Sequence, residues 1–392
     1  MWSHFHPTLA NASGVGTTLA IKRFHRMYLK KLTLTNFKNY SQTELTFSFH
    51  VNAFVGNNGM GKTNLLDAIY YLSFCKSYFN TLDNQNIQYD QDFFAIHGSY
   101  SLNQGDETIS CIQKRGQKKI MRFNKKEYER LSDHIGLLPL IIISPYDQDL
   151  IYDGSELRRK FLDSVISQYD KIYLEQLIAY LRTLEQRNKL LKQDHLDETL
   201  LQVFDQQLSR LAAPIYEKRT AFMQNFLPLF KTYYAQISGT SEEVDIVYQS
   251  HLDQAIPFET LLQSALDKDR ILQYTSIGIH KDDLQMLIAH RALKKFGSQG
   301  QQKSFVLAMR LAQVSMIAQL KGFYPILLLD DIFDKLDKER VRHLMALVGQ
   351  DHFGQVFLTD TDLQRVQRIF EEYTIEHQIY QIENGQTKRI HP

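Results

Sequence analysis

Val51-Asn52-Ala53-Phe54-Val55-Gly56-Asn57-Asn58-Gly59-Met60-Gly61-Lys62-Thr63 decides the fold of this chain. Residues 51–55 are a short apolar run of strand type. Residues 56–63 fit the spacing G-x-x-x-x-G-K-[ST], and a helical pattern runs from Lys62 to about Phe74. A strand that enters a glycine-rich turn and leaves as a helix is the context in which this spacing holds phosphate. The glycines let backbone N–H groups close around an anion without Cβ clashes. The helix N-terminus adds a partial positive charge. Lys62 is the expected partner of the β- and γ-phosphates, and Thr63 the expected hydroxyl ligand of Mg2+. Gly56, Asn57, Asn58, Gly59, Met60, Gly61, Lys62, Thr63 and Asn64 are therefore the expected nucleotide-binding residues, with ATP and Mg2+ as cofactors.

A second stretch answers the first. Ile326-Leu327-Leu328-Leu329-Asp330-Asp331 is a buried-strand pattern ending in two carboxylates. Unpaired buried charge costs several kcal/mol, on the order of 3–5 when a partner is missing, and a divalent cation removes that cost. Asp330 is the expected metal ligand, directly or through water. Asp331 is expected to polarise the attacking water or act as base, so Asp331 and Lys62 are the expected catalytic residues. A third motif, Gly297-Ser298-Gln299-Gly300-Gln301-Gln302-Lys303, opens a helical pattern about 30 residues earlier. Taken alone it is an ordinary N-cap; between the other two motifs it reads as a second anion-binding helix start.

The order of these motifs resembles the ABC/SMC ATPase family. In that family a signature serine and glycine contact the γ-phosphate of a nucleotide held by the other subunit, which assigns that role to Ser298, Gln299, Gly300 and Gln301. Asp334-Lys335-Leu336-Asp337 is similar to the D-loop that crosses the dimer seam. Within that family the chain resembles the RecF family of bacterial recombination-repair proteins, from about residue 27 into the C-terminal region. The resemblance is carried by residues 32–40 (Leu-Thr-Leu-Thr-Asn-Phe-Lys-Asn-Tyr), Ser144-Pro145, Gly154-Ser155, residues 158–163, residues 278–284 and Gln355-Val356-Phe357-Leu358-Thr359. Departures are Lys38 where Arg is common, Ile279 where Pro is usual, and Tyr146-Asp147 in a usually more acidic place. Asp360 stands near where ABC transporters carry a switch histidine, and Gln148 is a candidate for the Q-loop glutamine.

The resemblance implies an ATP-dependent homodimer that binds duplex DNA or single-strand/double-strand junctions at gaps. It implies help to RecO and RecR in loading RecA, a place in recombinational repair, replication-fork recovery and the SOS response, and slow, DNA-stimulated ATP hydrolysis that resets the clamp. Two other functions compete: the nucleotide-binding subunit of a membrane transporter, and a short SMC-like chromosome protein. Against the first stand the missing switch histidine and Asp331 where transporters usually carry Glu. Against the second stands the shortness of the helical insert.

Bulk composition bounds the rest. With 392 residues and 43% hydrophobic content the chain can bury a sizeable core and has room for two or three domains. Its net charge of +1 gives no vote for nucleic acid, so DNA contact must come from a local patch. Cys75 and Cys111 lack metal-ligand spacing and make no disulfide framework, which points to a reducing, cytoplasmic setting. No apolar run approaches the roughly 20 residues needed to span a bilayer, and no membrane contact is expected. Residues 1–26 lack periodicity and are expected to be a non-native or flexible extension, with Met27 the true start.

The expected fold is α/β: an ABC-type ATPase head split by a helical insertion. Residues 27–155 are the N-terminal half with the P-loop, 156–270 the mainly helical lobe, and 271–392 the C-terminal half with signature and Asp-Asp strand. Leu174, Leu177, Leu181, Leu184 and Leu191, with Asn188 in the remaining slot, and then Leu201, Phe204, Leu208, Leu211 and Ile215, follow 3-4 spacing on either side of a polar stretch. That pattern predicts an antiparallel helical hairpin, too short for a long coiled-coil arm. The last strand is expected at Val356–Leu358. The densest basic run is Lys114, Arg115, Lys118, Lys119, Arg122, Lys125 and Lys126, and Arg158-Arg159-Lys160 stands at the base of the insert. Lys118, Lys119, Arg122, Arg158 and Arg159 are the candidate DNA contacts. Residues 280–283 are either a surface turn or a loop near the nucleotide or DNA face.

Overall fold

The computed structural model describes residues 27–102, 105–254, 256–335, 338–349 and 353–390. Residues 1–26, and Leu336 and Asp337 of the expected D-loop, lie outside them.

Six strands form the central sheet, in the order Gln386–Ile390, His377–Glu383, Val51–Val55, Val356–Asp360, Ile326–Leu329 and Leu140–Ile143. All but the first pair in parallel. The four strands from Val51–Val55 to Leu140–Ile143 are buried at every residue, as parallel strands covered on both faces must be. Their side chains alternate between two cores. Phe54, Phe357, Leu328 and Ile142 pack toward the helix Lys62–Phe74 and a second sheet. Ala53, Val55, Leu358, Leu327 and Ile143 pack toward the helix Gln299–Lys321 and the insert. Because Val51–Val55 and Leu140–Ile143 interleave with strands from beyond residue 325, neither half can close the sheet alone.

The second sheet is antiparallel, in the order Tyr40–Thr46, Tyr28–Phe37, Phe93–Leu102, Gly105–Lys114, Ile120–Phe123, Lys126–Glu127. Three helices take up most of residues 155–238: Ser155–Tyr169, Lys171–Leu190 and the 41-residue Glu198–Ser238. Asp197 caps the long helix by accepting the Leu200 N–H, and Gly239 ends it at φ 63°. At 1.5 Å per residue this helix is about 60 Å long, yet only its first half pairs with Lys171–Leu190. Its second half lies along Gln299–Lys321, with the Phe230 and Phe305 rings 4.6 Å apart. The hairpin is therefore real, but half of its longer arm belongs to the head.

Two elements differ from the expectation. A strand Val244–Gln249 lies inside the segment 156–270 expected to be mainly helical, and pairs with Asp283–Ile288 in a three-stranded sheet with Arg291–Ala292. Val356–Asp360 is not the last strand, for the hairpin His377–Glu383/Gln386–Ile390 completes the central sheet. Its turn is Asn384-Gly385, both at positive φ (48° and 75°), the strongest short-range hairpin signal a sequence offers.

Candidate nucleotide-binding site

The loop at residues 56–61 leaves Val51–Val55 and turns into Lys62–Phe74 through two left-handed glycines, Gly59 (φ 79°) and Gly61 (φ 111°). Gly56 is required for a different reason: a Cβ there would lie 2.2 Å from the Ile382 carbonyl oxygen. The loop is braced from outside. Tyr40 OH donates to the Gly61 carbonyl at 3.0 Å, Asn39 Nδ2 to the Met60 carbonyl at 3.0 Å, and the Gly385 N–H to the same Met60 carbonyl at 3.2 Å. Asn64 Nδ2 donates to Asn39 Oδ1 at 2.8 Å, which ties the helix start to this brace. Among the described residues, no backbone N–H from Asn57 to Thr63 donates to a protein acceptor. A run of consecutive backbone donors without a protein acceptor is the pattern a phosphate chain fits.

Lys62 is only 4% exposed. Its Nζ donates to the carbonyls of Gly56 at 2.7 Å and Asn57 at 3.0 Å, so the ammonium lies folded over the loop mouth. Thr63 Oγ1 donates to Asp330 Oδ1 at 2.9 Å. Asp330 ends the strand Ile326–Leu329, and its Oδ1 also accepts the Thr359 hydroxyl at 2.9 Å. Burial raises the Asp330 pKa; the two hydroxyl donors oppose this and the neighbouring Asp331 charge adds to it. Asp331 stands at φ 44° in the left-handed region, with its N–H donating to Thr359 Oγ1 at 2.8 Å and its Oδ1 buried without a hydrogen-bond partner. A carboxylate destabilised by burial, a hydroxyl beside it and an orphaned carboxylate oxygen fit a divalent cation and a water, which would compensate the buried charge and give the Asp331 oxygen the partner it lacks.

Ser298 caps the helix Gln299–Lys321 in a capping box. Its hydroxyl accepts the Gln301 N–H at 3.2 Å, and the Gln301 side chain accepts the Ser298 N–H at 2.7 Å. Ser298 and Gln299 are exposed. Gly300 faces the Arg340 guanidinium, whose Nε donates to Ser304 Oγ at 2.7 Å. Gln302 is buried, with Nε2 donating to the Gly297 carbonyl at 3.1 Å and Oε1 accepting from Tyr152 OH. Among the described residues, no hydrogen bond or ion pair joins residues 297–303 to residues 56–63. Asp334 and Lys335 fall in the short helix Ile332–Lys335.

The cations nominated for DNA separate into two groups. Arg158 is 13% exposed, gripping Asp283 at 2.6 and 3.1 Å and the Leu150 and Asp153 carbonyls. Arg159 donates to Ser155 Oγ and the Asp282 carbonyl, both at 2.7 Å. Lys119 is ion-paired with Asp83 at 2.7 Å and donates to Tyr71 OH at 3.1 Å. Lys118 is exposed, and Arg122 makes a 3.9 Å contact with Glu127. Residues 280–283 are a joint between insert and head. Arg219 donates to Asp282 Oδ2 at 2.6 Å and to Asp163 at 2.8 Å, and His280 Nδ1 lies 2.8 Å from Tyr180 OH. Asp360, expected near the place of a transporter's switch histidine, accepts from Arg365 at 2.7 Å, and its backbone carbonyl accepts the Gly56 N–H at 3.2 Å. Gln148 closes the turn Pro145–Gln148, beside an Asp147 paired with Arg310.

Sequence reasoning missed Thr359, Asn39 and Tyr40 as parts of this site. Each lies inside a stretch already singled out for its resemblance, but nothing in its own neighbourhood shows which residue it touches.

Comparison with known proteins follows this geometry. The RecF/RecN/SMC N terminal domain model matches residues 28–386. The DNA replication and repair protein RecF of Flavobacterium johnsoniae is 49% identical over 362 residues, 91% of this chain and 100% of the relative. RecF of Bacteroides fragilis is 46% identical over 92% of this chain and 97% of its own length. A solved structure of the recombination mediator protein RecF-ATP in the RecFOR pathway superposes with a TM-score of 0.86 at 26% identity, covering 95% of this chain and 100% of that one. An Smc head bound to the C-winged helix domain of ScpA shares the fold, with a TM-score of 0.57 at 14% identity over 93% of this chain and 97% of that one.

Proposed function

The chain belongs to the RecF family, within the RecF/RecN/SMC N-terminal-domain group, and from that premise we propose that it is an ATP-driven DNA clamp of recombinational repair. ATP closes two copies of the chain on duplex DNA or on the single-strand/double-strand junction of a gap. In that state it helps RecO and RecR load RecA, and slow hydrolysis releases it. The observation that carries this reading is that Lys62, Thr63 and Asp330 gather at one loop, with the unpartnered Asp331 oxygen next in the chain, while Ser298 is exposed and makes no hydrogen bond to that loop among the described residues.

The loop amides and Lys62 bind and orient the triphosphate, Lys62 exchanging the Gly56 and Asn57 carbonyls for the β- and γ-phosphates. Thr63 and Asp330 would hold Mg2+, which supplies charge neutralisation at the β- and γ-oxygens. Asp331 Oδ1, with no protein partner, orients the attacking water and receives its proton. Ser298 and the helix start behind it contribute the last face of the γ-phosphate site, from the second copy. The Asp360–Arg365 pair supports a switch mechanism unlike that of a transporter subunit, because its carboxylate is already committed to the arginine.

The test is ATP turnover by the purified chain, alone and with gapped, single-stranded or blunt duplex DNA. Slow turnover that rises with gapped DNA supports the proposal. Turnover indifferent to every DNA, with no ATP-dependent DNA binding, overturns it.

A further inference from the structure

Gln301 holds two partners at once. Its Oε1 accepts the Ser298 N–H at 2.7 Å, and its Nε2 donates to Glu242 Oε1 at 2.7 Å. The other oxygen of Glu242 accepts Tyr234 OH at 2.8 Å. Tyr234 is buried in the last turns of the long helix Glu198–Ser238, its ring packed with Phe230 and Phe305. Three consecutive hydrogen bonds thus run from the signature serine to the end of the insertion helix. Glu242 itself is exposed, on the short link between Gly239 and the strand Val244–Gln249.

An acidic residue near a helix N-terminus has a simpler use, since it complements the helix dipole. Glu242 is placed differently. It grips the side chain of the residue that closes the capping box, and it is anchored at its other end to a different lobe. A glutamine held at one end keeps part of its rotamer freedom, and each such side chain has up to about 2 kcal/mol of it to lose. Held at both ends, Gln301 fixes the direction of Ser298.

We propose that Glu242 is a positioning residue for the signature serine: through Gln301 it aims Ser298 at a nucleotide held by a second copy of the chain, and through Tyr234 it makes that aim depend on the end of the insertion helix. The inference rests on the composite-site reading above. A displacement of the long helix pulls on Glu242 and loosens or tightens the serine, so the insert and the nucleotide seam share one mechanical link.

Glu242→Leu removes both acceptors at similar size, whereas Glu242→Gln keeps an oxygen for Gln301 and a group that can pair with the Tyr234 hydroxyl. The measurements are kcat and KM for ATP, ATP-dependent dimerisation by sedimentation, ADP affinity and the melting temperature. Loss of the exposed, charge-assisted bond to Gln301 predicts about a fivefold fall in kcat and in dimer association for the Leu variant, and less than about twofold for the Gln variant. ADP affinity stays at the wild-type value. Tyr234→Phe, which keeps the packed ring, shifts kcat and dimerisation in the same direction and covers the case in which the Leu variant is unstable. A Leu variant that dimerises and turns over like wild type overturns the proposal, as does a Gln variant as impaired as Leu. Wild-type behaviour of Tyr234→Phe removes the link to the long helix. Ser298→Arg separates the two levels. If it still dimerises with ATP, the composite site itself is wrong; if it does not while Glu242→Leu behaves normally, only the link fails.

Discussion

Thr63 Oγ1 donates to Asp330 Oδ1 across 267 residues of sequence. The strands that carry the two motifs are not neighbours, because Val356–Asp360 lies between them. Thr359 of that middle strand donates to Asp330 Oδ1 and accepts the Asp331 N–H, so one hydroxyl sets the register between the phosphate loop and the acidic pair. The central sheet must therefore be assembled in full before the site exists.

Asp331→Asn is expected to leave ATP binding unchanged and nearly abolish hydrolysis. The substitution is clean because Asn, like Asp, tolerates the left-handed backbone found here at φ 44°, and the Asp330 ligand stays in place. Equilibrium binding of ATP and single-turnover hydrolysis check it; a variant that hydrolyses at the wild-type rate removes Asp331 from the chemistry.

Lys62→Arg is expected to weaken ATP binding, hydrolysis or both. The ammonium fits between two carbonyls of the loop at 2.7 and 3.0 Å, a space shaped for a compact charge and not for a planar fork. Calorimetric affinity for ATP together with turnover decides it, and wild-type values for both would mean that the loop does not cradle phosphate through this residue.

How much of this was legible follows from where the information sits. Residues 56–63 carry their meaning locally, since a strand, a turn and a helix start are each written in adjacent residues. The Asn384-Gly385 turn was equally local and was passed over. Thr359 could not be read, since a threonine in an apolar strand has many uses and only the folded sheet sets it against Asp330. The same limit governs the cations. Lys119 and Arg158 look like solvated charges in sequence, but their partners Asp83 and Asp283 lie 36 and 125 residues away.

Lowering the pH is expected to loosen the joint between insert and head. Burial pushes the His280 imidazole down from 6.5 to about 4, with Lys281, Arg159 and His251 adding to the effect and the Thr275 carbonyl opposing it. The unfolded chain then binds the proton more readily than the folded one between those values. Stability from this residue is present above about pH 6.5 and is lost as pH falls toward 4, by at most about 3 kcal/mol. Urea unfolding at pH 7 and pH 4.5 should show a smaller loss in His280→Gln than in wild type. An equal loss in both assigns the acid sensitivity to other groups.

Arg310→Met is expected to cost about 3–5 kcal/mol of stability, because it strands a buried carboxylate. Arg310 holds Asp147 at 2.6 and 3.1 Å, joining the helix Gln299–Lys321 to the turn after Leu140–Ile143. The double variant Arg310→Met/Asp147→Leu should recover much of that loss, since no charge is then left unpaired. Denaturation midpoints of the three proteins give the answer. A single variant as stable as wild type would show that water reaches Asp147 freely.

The final prediction concerns the seam between two copies. Within one chain no hydrogen bond or ion pair joins the phosphate loop to the exposed Ser298 among the described residues, and on the composite-site proposal neither encloses a γ-phosphate alone. ATP should then act as a crosslinker that stabilises the dimer by mass action, and ADP, lacking the γ-phosphate, should not. Ser298→Arg is expected to bind ATP and stay monomeric in sedimentation, because a bulky cation fills the seam. Lys62→Met is expected to fail at the other half of the same site. A mixed dimer of the two has one site built from an intact loop and an intact serine, and a second site in which both are damaged. Mixing should therefore yield ATP-dependent dimers absent from either variant alone, with turnover below the wild-type level because half of the sites are dead. DNA binding that depends on ATP should return in the mixture to the same extent. Wild-type dimerisation by Ser298→Arg alone would sink the composite site and leave a monomeric ATPase in its place.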